Sequence, residues 1–318
     1  MEEDRKVFAM STEERGPVIT KEILAKRWGI GLDTAHRTLT VTTQVGIRRV
    51  LHPVERCYKT RQSHLRYPTL NARFYTDTMF STTKSLRGNK CAQVFTNGIG
   101  YDLFYPLKKE SDASEALTEV IRSVGIPKEL VSDGARAETQ GEFGKIVKEY
   151  KIKPRTSEPH SGWQNRAEAP IRELKRGIKR TMQRTRTPKR LWDYCGEWVA
   201  AVRRLTAHDL PGLDGRVPDE VVEGNTPDIA EYAQFDWYEH VWCHDPTVQF
   251  PGDQRRLARW IGVAHSVSNP MTFWVLPSTC KVLARSTVWS LSEDDRSNPA
   301  IQAQIAELDA SIREKIGD

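Results

Sequence analysis

Arg73-Phe-Tyr-Thr-Asp-Thr-Met-Phe-Ser81 reads as a β-strand with an acid, Asp77, in its middle. Asp is a poor strand former. Alternation puts Asp77 on the face it shares with Tyr75 and Met79. An inward carboxylate is costly unless it is paired or binds metal. Two more acids stand in telling places: Asp133, which ends the apolar run of Glu129-Leu-Val-Ser-Asp-Gly134, and Glu168, in Gln164-Asn-Arg-Ala-Glu-Ala169 at the opening of a long basic helix. Between Asp133 and Glu168 lie 34 residues, positions 134 to 167. Each acid alone has an ordinary reading. Asp77 suits a solvent-facing strand position, Asp133 a turn before Gly134, and Glu168 the first turn of a helix, where the dipole favours it. As an ordered set they fit another role. Two-metal phosphoryl transfer uses hard carboxylate oxygens to hold divalent ions ~3.5 to 4 Å apart.

Around these acids, residues 72–205 read as one α/β unit. Strands are expected over 74–81, 90–96 and 101–107, the last two split by Asn97-Gly98. A helix over 113–124 follows, with Leu117, Val120, Ile121 and Val124 at helical spacing. Then come a strand over 129–132, a helix over 139–150 and a short strand over 151–154. Three strands, helix, strand, helix, strand, helix is the order of a ribonuclease H-like core: α/β, a five-stranded mixed sheet flanked by helices. The next helix is expected from near Gln164 to about Arg184. Its Arg172, Lys175, Arg176 and Lys179 can neutralise phosphates. The alternative is a solvated basic face. A further helix over 188–208 carries Leu191, Trp192, Cys195, Trp198, Val199 and Val202 as a core stripe.

The flanks suggest smaller units. Residues 1–70 read as an N-terminal helical module and basic linker. Its helices, over 21–28 and 33–39, flank Gly29-Ile-Gly31 and resemble a helix-turn-helix; the alternative is a helical pair packed on the core. The catalytic core is expected over 71–208, a turn-rich linker over 209–234, a small β-barrel-like domain over 235–292, and a C-terminal helix and tail over 293–318. One β-like run in the barrel is expected over 282–289. Net charge is +6 in 318 residues, in keeping with a polyanionic partner. The five cysteines are scattered with no Cys-x-x-Cys, so neither a disulfide framework nor a structural zinc site is expected. The charged start lacks an apolar signal region. No apolar run approaches the ~18 to 20 residues that span a bilayer, so no membrane partner is expected.

Over roughly residues 45–290 the chain resembles the integrase region of copia-type LTR-retrotransposon polyproteins. The residues that carry the resemblance are Tyr75-Thr-Asp-Thr78, Leu130-Val-Ser-Asp-Gly134, and Pro159-His-Ser-Gly-Trp-Gln-Asn-Arg-Ala-Glu168 with Ile171-Arg-Glu-Leu-Lys-Arg176. Asn225-Thr-Pro-Asp-Ile229 is similar to the family's short post-core motif. The resemblance implies a retroviral-integrase-like core with Asp77, Asp133 and Glu168 as catalytic and metal-binding triad. It implies two Mg2+ or Mn2+ ions, and double-stranded DNA, both element ends and target, as partner. Gln164, Asn165 and Arg166 would join Arg172, Lys175, Arg176 and Lys179 in contacting that DNA. It further implies 3′-end processing and strand transfer by a homo-multimer in the nucleus, after a stage in a cytoplasmic particle. The chain departs from the family in lacking its Cys-x-x-Cys zinc module and in carrying Trp163 in the loop before the Glu. Two other readings stand: a catalytically inactive, domesticated DNA-binding protein, and a ribonuclease H-like nuclease.

Overall fold

The computed structural model of the chain describes residues 19–44, 68–132, 141–156, 167–249, 251–265, 267 and 271–317. Asp133, Gln164, Asn165 and Arg166, and all of the expected basic connector over 48–68 except Pro68, lie outside the described residues.

Helices α1 (Lys21–Trp28) and α2 (Leu32–Val41) form the expected pair. Thr20 caps α1 by accepting from the Ile23 N–H, and Gly29 closes it in the left-handed conformation. The pair packs on the body of the molecule. Leu24 and Trp28 are buried, and the Trp28 indole N–H donates to the Tyr232 carbonyl at 3.1 Å. Arg184 donates to the Lys26 and Arg27 carbonyls. Packing on the core is therefore a role of α1 in this fold.

Next in order come β1 (Thr69–Phe80), β2 (Cys91–Thr96), β3 (Asp102–Leu107), α3 (Ala113–Ser123), β4 (Ile126–Ser132), α4 (Gly141–Glu149) and β5 (Lys153–Thr156). The strands form one sheet in the order β3-β2-β1-β4-β5. The β1–β2 and β2–β3 pairs are antiparallel, and β1–β4 and β4–β5 are parallel. This mixed sheet, with helices following β3, β4 and β5, is the ribonuclease H-like arrangement that the sequence order implied. On one face Phe74, Phe95 and Leu130 pack under Leu117, Ile121 and Phe143 of α3 and α4. On the other, Tyr75, Met79, Val94 and Val131 meet α5 (Glu168–Thr185) and α6 (Trp192–Leu205).

Within the described residues α5 begins at Glu168 rather than near Gln164. Pro170 supplies the reason. It has no N–H, so it fits only in the first turn, where that donor would go unused. Ile171, Leu174, Ile178 and Thr181 form the buried stripe of α5. Helix α6 is buried nearly all round, Trp192 to Val202, instead of along the expected stripe. It lies between β3 on one side and β7 (Arg255–Val263) on the other, so both faces need apolar residues. Gly196 lets it approach the sheet, since a Cβ there would overlap the Phe104 ring.

Residues 209–234 are packed structure instead of a solvated connector. They contain α7 (Pro218–Glu223) and α8 (Ala230–Ala233), with Leu213, Val217 and Ile229 buried. The Thr43 N–H donates to the Pro227 carbonyl and the Ile229 N–H donates to the Thr43 carbonyl, which ties this region to the end of α2. The second sheet holds β6 (His240–His244), β7, β8 (Phe273–Pro277), β9 (Leu283–Arg285) and β10 (Val288–Ser290) in the order β10-β6-β7-β8-β9. The run expected over 282–289 is two strands, split at Ser286-Thr287. They occupy opposite edges of the sheet although only two residues separate them. The sheet must therefore curl until its edges meet, as a small barrel does. An aromatic chain, Trp198–Trp237–Trp260–Phe273, links α6 to the barrel interior through ring contacts of 5.7, 6.2 and 6.1 Å. Helices α9 (Glu293–Ser297) and α10 (Pro299–Ile316) close the chain, and Leu308, Ile312 and Ile316 return to the shared core.

One charged ladder crosses the parallel half of the first sheet. Glu129 on β4 pairs in register with Arg73 on β1 and Lys153 on β5. Its carboxylate lies 2.6 Å from Arg73, 3.2 Å from Arg155 and 3.4 Å from Lys153. The Arg73 hydrogen bond leads these cations in holding the Glu129 carboxyl down to about 2, from a usual 4.5. A depressed carboxyl stabilises the fold fully above its unfolded value and ceases to do so as pH falls through its folded value. Glu129→Gln should therefore lower the melting temperature at pH 7, with the deficit shrinking between pH 4.5 and 2. Thermal melts across that window check it, and a deficit unchanged at pH 2 contradicts the clamp.

Candidate functional site

Asp77 lies in β1 opposite Val94 of β2. Its neighbours on the same face, Tyr75 and Met79, are buried, as is Val94, while Asp77 itself is half-buried. The Thr78 N–H donates to Asp77 Oδ1 at 2.7 Å, which turns one carboxylate oxygen along the strand. Thr76 and Thr78 point to the opposite face, where Gln93 joins them. Its Nε2 donates to Thr76 Oγ1 at 2.6 Å, and its Oε1 accepts from Thr78 Oγ1 at 2.9 Å. Gln93 and Thr76 are fully buried. This polar clasp immobilises the strand on either side of Asp77.

Glu168 is the first residue of α5 and is exposed. It sits one turn before Ile171, which belongs to the same apolar cluster as Tyr75 and Met79. Two of the three expected acids thus stand on elements that pack over one sheet face. Asp133 follows directly on β4, whose last described residue is Ser132. Among the described residues no group of three His, Cys, Asp or Glu side chains is placed to hold a metal. The donor chemistry does suit a hard divalent cation, since Asp77 and Glu168 offer carboxylate oxygens only.

The basic residues of α5 face solvent. Arg172, Lys175, Arg176 and Lys179 are all exposed. Arg176 pairs with Glu173 at 2.8 Å, an exposed contact worth ~0 to 1 kcal/mol that a phosphate can displace. Lys175 and Lys179 also line a groove of about 910 Å³ between the end of β1, α5 and the turn into α6. Its floor includes Met79, Ile178, Met182 and Trp192, and its rim adds Phe80, Arg186, Lys189 and Arg313. The sequence reading missed these last four. Phe80 ends the strand that carries Asp77 and could have been noticed; Arg313 comes from the terminal helix, which only tertiary structure brings here.

No protein-family model and no curated protein matches the chain. Among solved structures, the HTLV-2 integrase catalytic core domain in complex with magnesium is similar in its trimeric form, with 17% identity over 49% of this chain and 99% of that one, TM-score 0.37. Its dimeric form gives 16% identity, 49% and 97% coverage, and TM-score 0.35. A chain of the simian T-cell lymphotropic virus intasome in complex with PP2A regulatory subunit B56 gamma gives 14% identity, 86% and 99% coverage, and TM-score 0.41.

Replacing Gln93 by Leu should cost about 1 to 3 kcal/mol of stability, because the buried Thr76 hydroxyl and the half-buried Thr78 hydroxyl each lose a hydrogen bond to the Gln93 amide. Chemical denaturation measures this, and a neutral substitution would mean that the clasp does not hold β1.

Proposed function

We propose that this chain is a DNA strand-transferase, an integrase of the copia type acting on the ends of an element's DNA. One observation supports this most. Tyr75 of β1 pairs with Val131 of β4 in a parallel register. Asp77 and Asp133 each lie two residues further along their own segments. Parallel strands advance together at about 3.3 Å per residue, so this register favours two carboxylates side by side, with α5 and its Glu168 packed over the same face.

Asp77, Asp133 and Glu168 would hold Mg2+ or Mn2+. Such ions, when bound, supply electrostatic stabilisation of the attacking and leaving oxygens. The chain's remaining work is positioning. Arg172, Lys175, Arg176 and Lys179 neutralise backbone phosphates, and Gln164, Asn165 and Arg166, just before Glu168, contact the DNA end. In the first step water attacks a phosphodiester near the end, forming a new P–O bond and releasing a 3′-hydroxyl. In the second, that hydroxyl attacks a phosphodiester of target DNA, and the target's own 3′-oxygen leaves. Both are in-line displacements, and a multimer would bring two DNA ends to one target.

The test uses labelled duplex ends with Mg2+ or Mn2+. The chain should join them to a target duplex, and chelation should stop the reaction. Asp77→Asn, Asp133→Asn and Glu168→Gln should each reduce joined product to background while DNA affinity stays within about twofold of the parent, since the phosphate contacts that dominate affinity remain. Undiminished joining by any one variant removes that residue from the site.

A further inference from the structure

We propose that the groove beside α5 takes unpaired nucleotides at the reacting end of the DNA, stacking a base on Phe80. The proposal rests on the strand-transfer reading for the identity of that end. The groove itself stands on independent observations.

The first is charge. Lys175, Lys179, Arg186, Lys189 and Arg313 border the groove, and among the described residues no acid does. All five are exposed, and none forms an ion pair with an acid among the described residues. Five unneutralised cations around one concavity select a polyanion.

The second is the apolar floor. Met79, Ile178, Met182 and Trp192 lie beneath that rim, and Phe80, which also lines the groove, is 61% exposed. A duplex presents sugars and phosphates outward and keeps its base faces stacked inside. Only unpaired bases offer flat apolar faces to such a floor. A cationic groove joined to a free aromatic ring is the combination that single strands use, phosphates on the cations and bases on the ring.

The third is position. Met79 and Phe80 come two and three residues after Asp77 on β1. Lys175 comes seven residues after Glu168 on α5, about 10 Å along the helix at 1.5 Å per residue. The groove therefore continues along the two elements that carry Asp77 and Glu168.

The fourth is the conformation of Arg186. It closes α5 in the left-handed region, φ 53°, where glycine is the unstrained choice. This cap carries its guanidinium to the rim of the groove, where glycine would carry none.

Fluorescence anisotropy with the full chain tests this on three probes: a blunt duplex, the same duplex with a short unpaired extension, and that extension made abasic. The unpaired extension should bind about tenfold tighter than the blunt end, the scale of one stacked base. The abasic extension, with the same phosphates, should lose most of that gain. Phe80→Ala should remove the preference and leave blunt-duplex affinity unchanged. Lys189→Glu with Arg313→Glu should weaken extension binding at least tenfold. Arg186→Gly should weaken it severalfold while keeping or raising the melting temperature, which separates binding from folding. Equal affinity for blunt and extended duplexes overturns the proposal, as does full binding of the abasic extension. Displacement of a dye from the groove by an acidic amphipathic peptide but not by the extension would make it a protein-docking groove instead. Strand transfer without extension preference defeats this inference alone; extension preference without acid-dependent transfer defeats the reading of function and leaves the groove.

Discussion

The parallel register of β1 against β4 is held by charge as well as by backbone. Arg73 reaches Glu129 from β1, while Lys153 and Arg155 reach it from β5, so one carboxylate ties three strands. A slip of one residue would turn every side chain of β1 to the other face. It would also carry Tyr75, Asp77 and Met79 away from α5. Where β4 begins, the chain passes so close to Pro68 that a Cβ at Gly125 would collide with its carbonyl, and Gly125 adopts a φ of 137° there. Glycine is required at that point for both reasons. The register shifts between Leu70 and Arg73, so the close approach lies before the shift and the clamp holds the register on the side of Asp77.

The two faces of the sheet have different work. The α3–α4 face is a closed apolar core with ordinary packing. The α5–α6 face is shared, because α1, the barrel and α10 all join the same cluster. Helix α6 is the wall between sheet and barrel. Its buried Asp193 and half-buried Glu197 both bind Arg87, from the β1–β2 connection. Burial pushes the Glu197 carboxyl up, opposed by the Arg87 charge. At the other end of α6, buried Asp102 pairs with Arg203 at 2.9 Å. Such pairs add little net stability but are costly to break singly, so they fix the angle of α6. That angle sets where α5, packed beside it, lays its basic side.

Much of this architecture was legible in the chain. Alternation around Asp77 gave β1 its two faces, and Asn97-Gly98 marked the β2–β3 turn. The stripe of Leu117, Val120 and Ile121 gave α3. Errors came where a long-range partner overrode a local pattern. The β-like run over 282–289 has no local signal for its split; only its two opposite sheet partners create it. Residues 209–234 are rich in Gly and Pro, yet Leu213, Val217 and Ile229 find cover from distant segments. Pro170 in the first turn makes a helix start near Glu168 readable from the sequence. The groove was unreadable, because Arg313 stands 127 positions from Arg186 in sequence (313 minus 186) and meets the same rim only through the fold.

The proposed function requires that carboxylates distant in sequence converge to hold divalent cations beside a cationic helix. Crystals soaked in Mn2+ and measured at the manganese absorption edge address this most directly. The account predicts anomalous density bridged by the side chains of Asp77, Asp133 and Glu168, in one or two peaks ~3.5 to 4 Å apart. A well-ordered structure with no manganese there, or with any of the three carboxylates ~10 Å or more from the others, would contradict it.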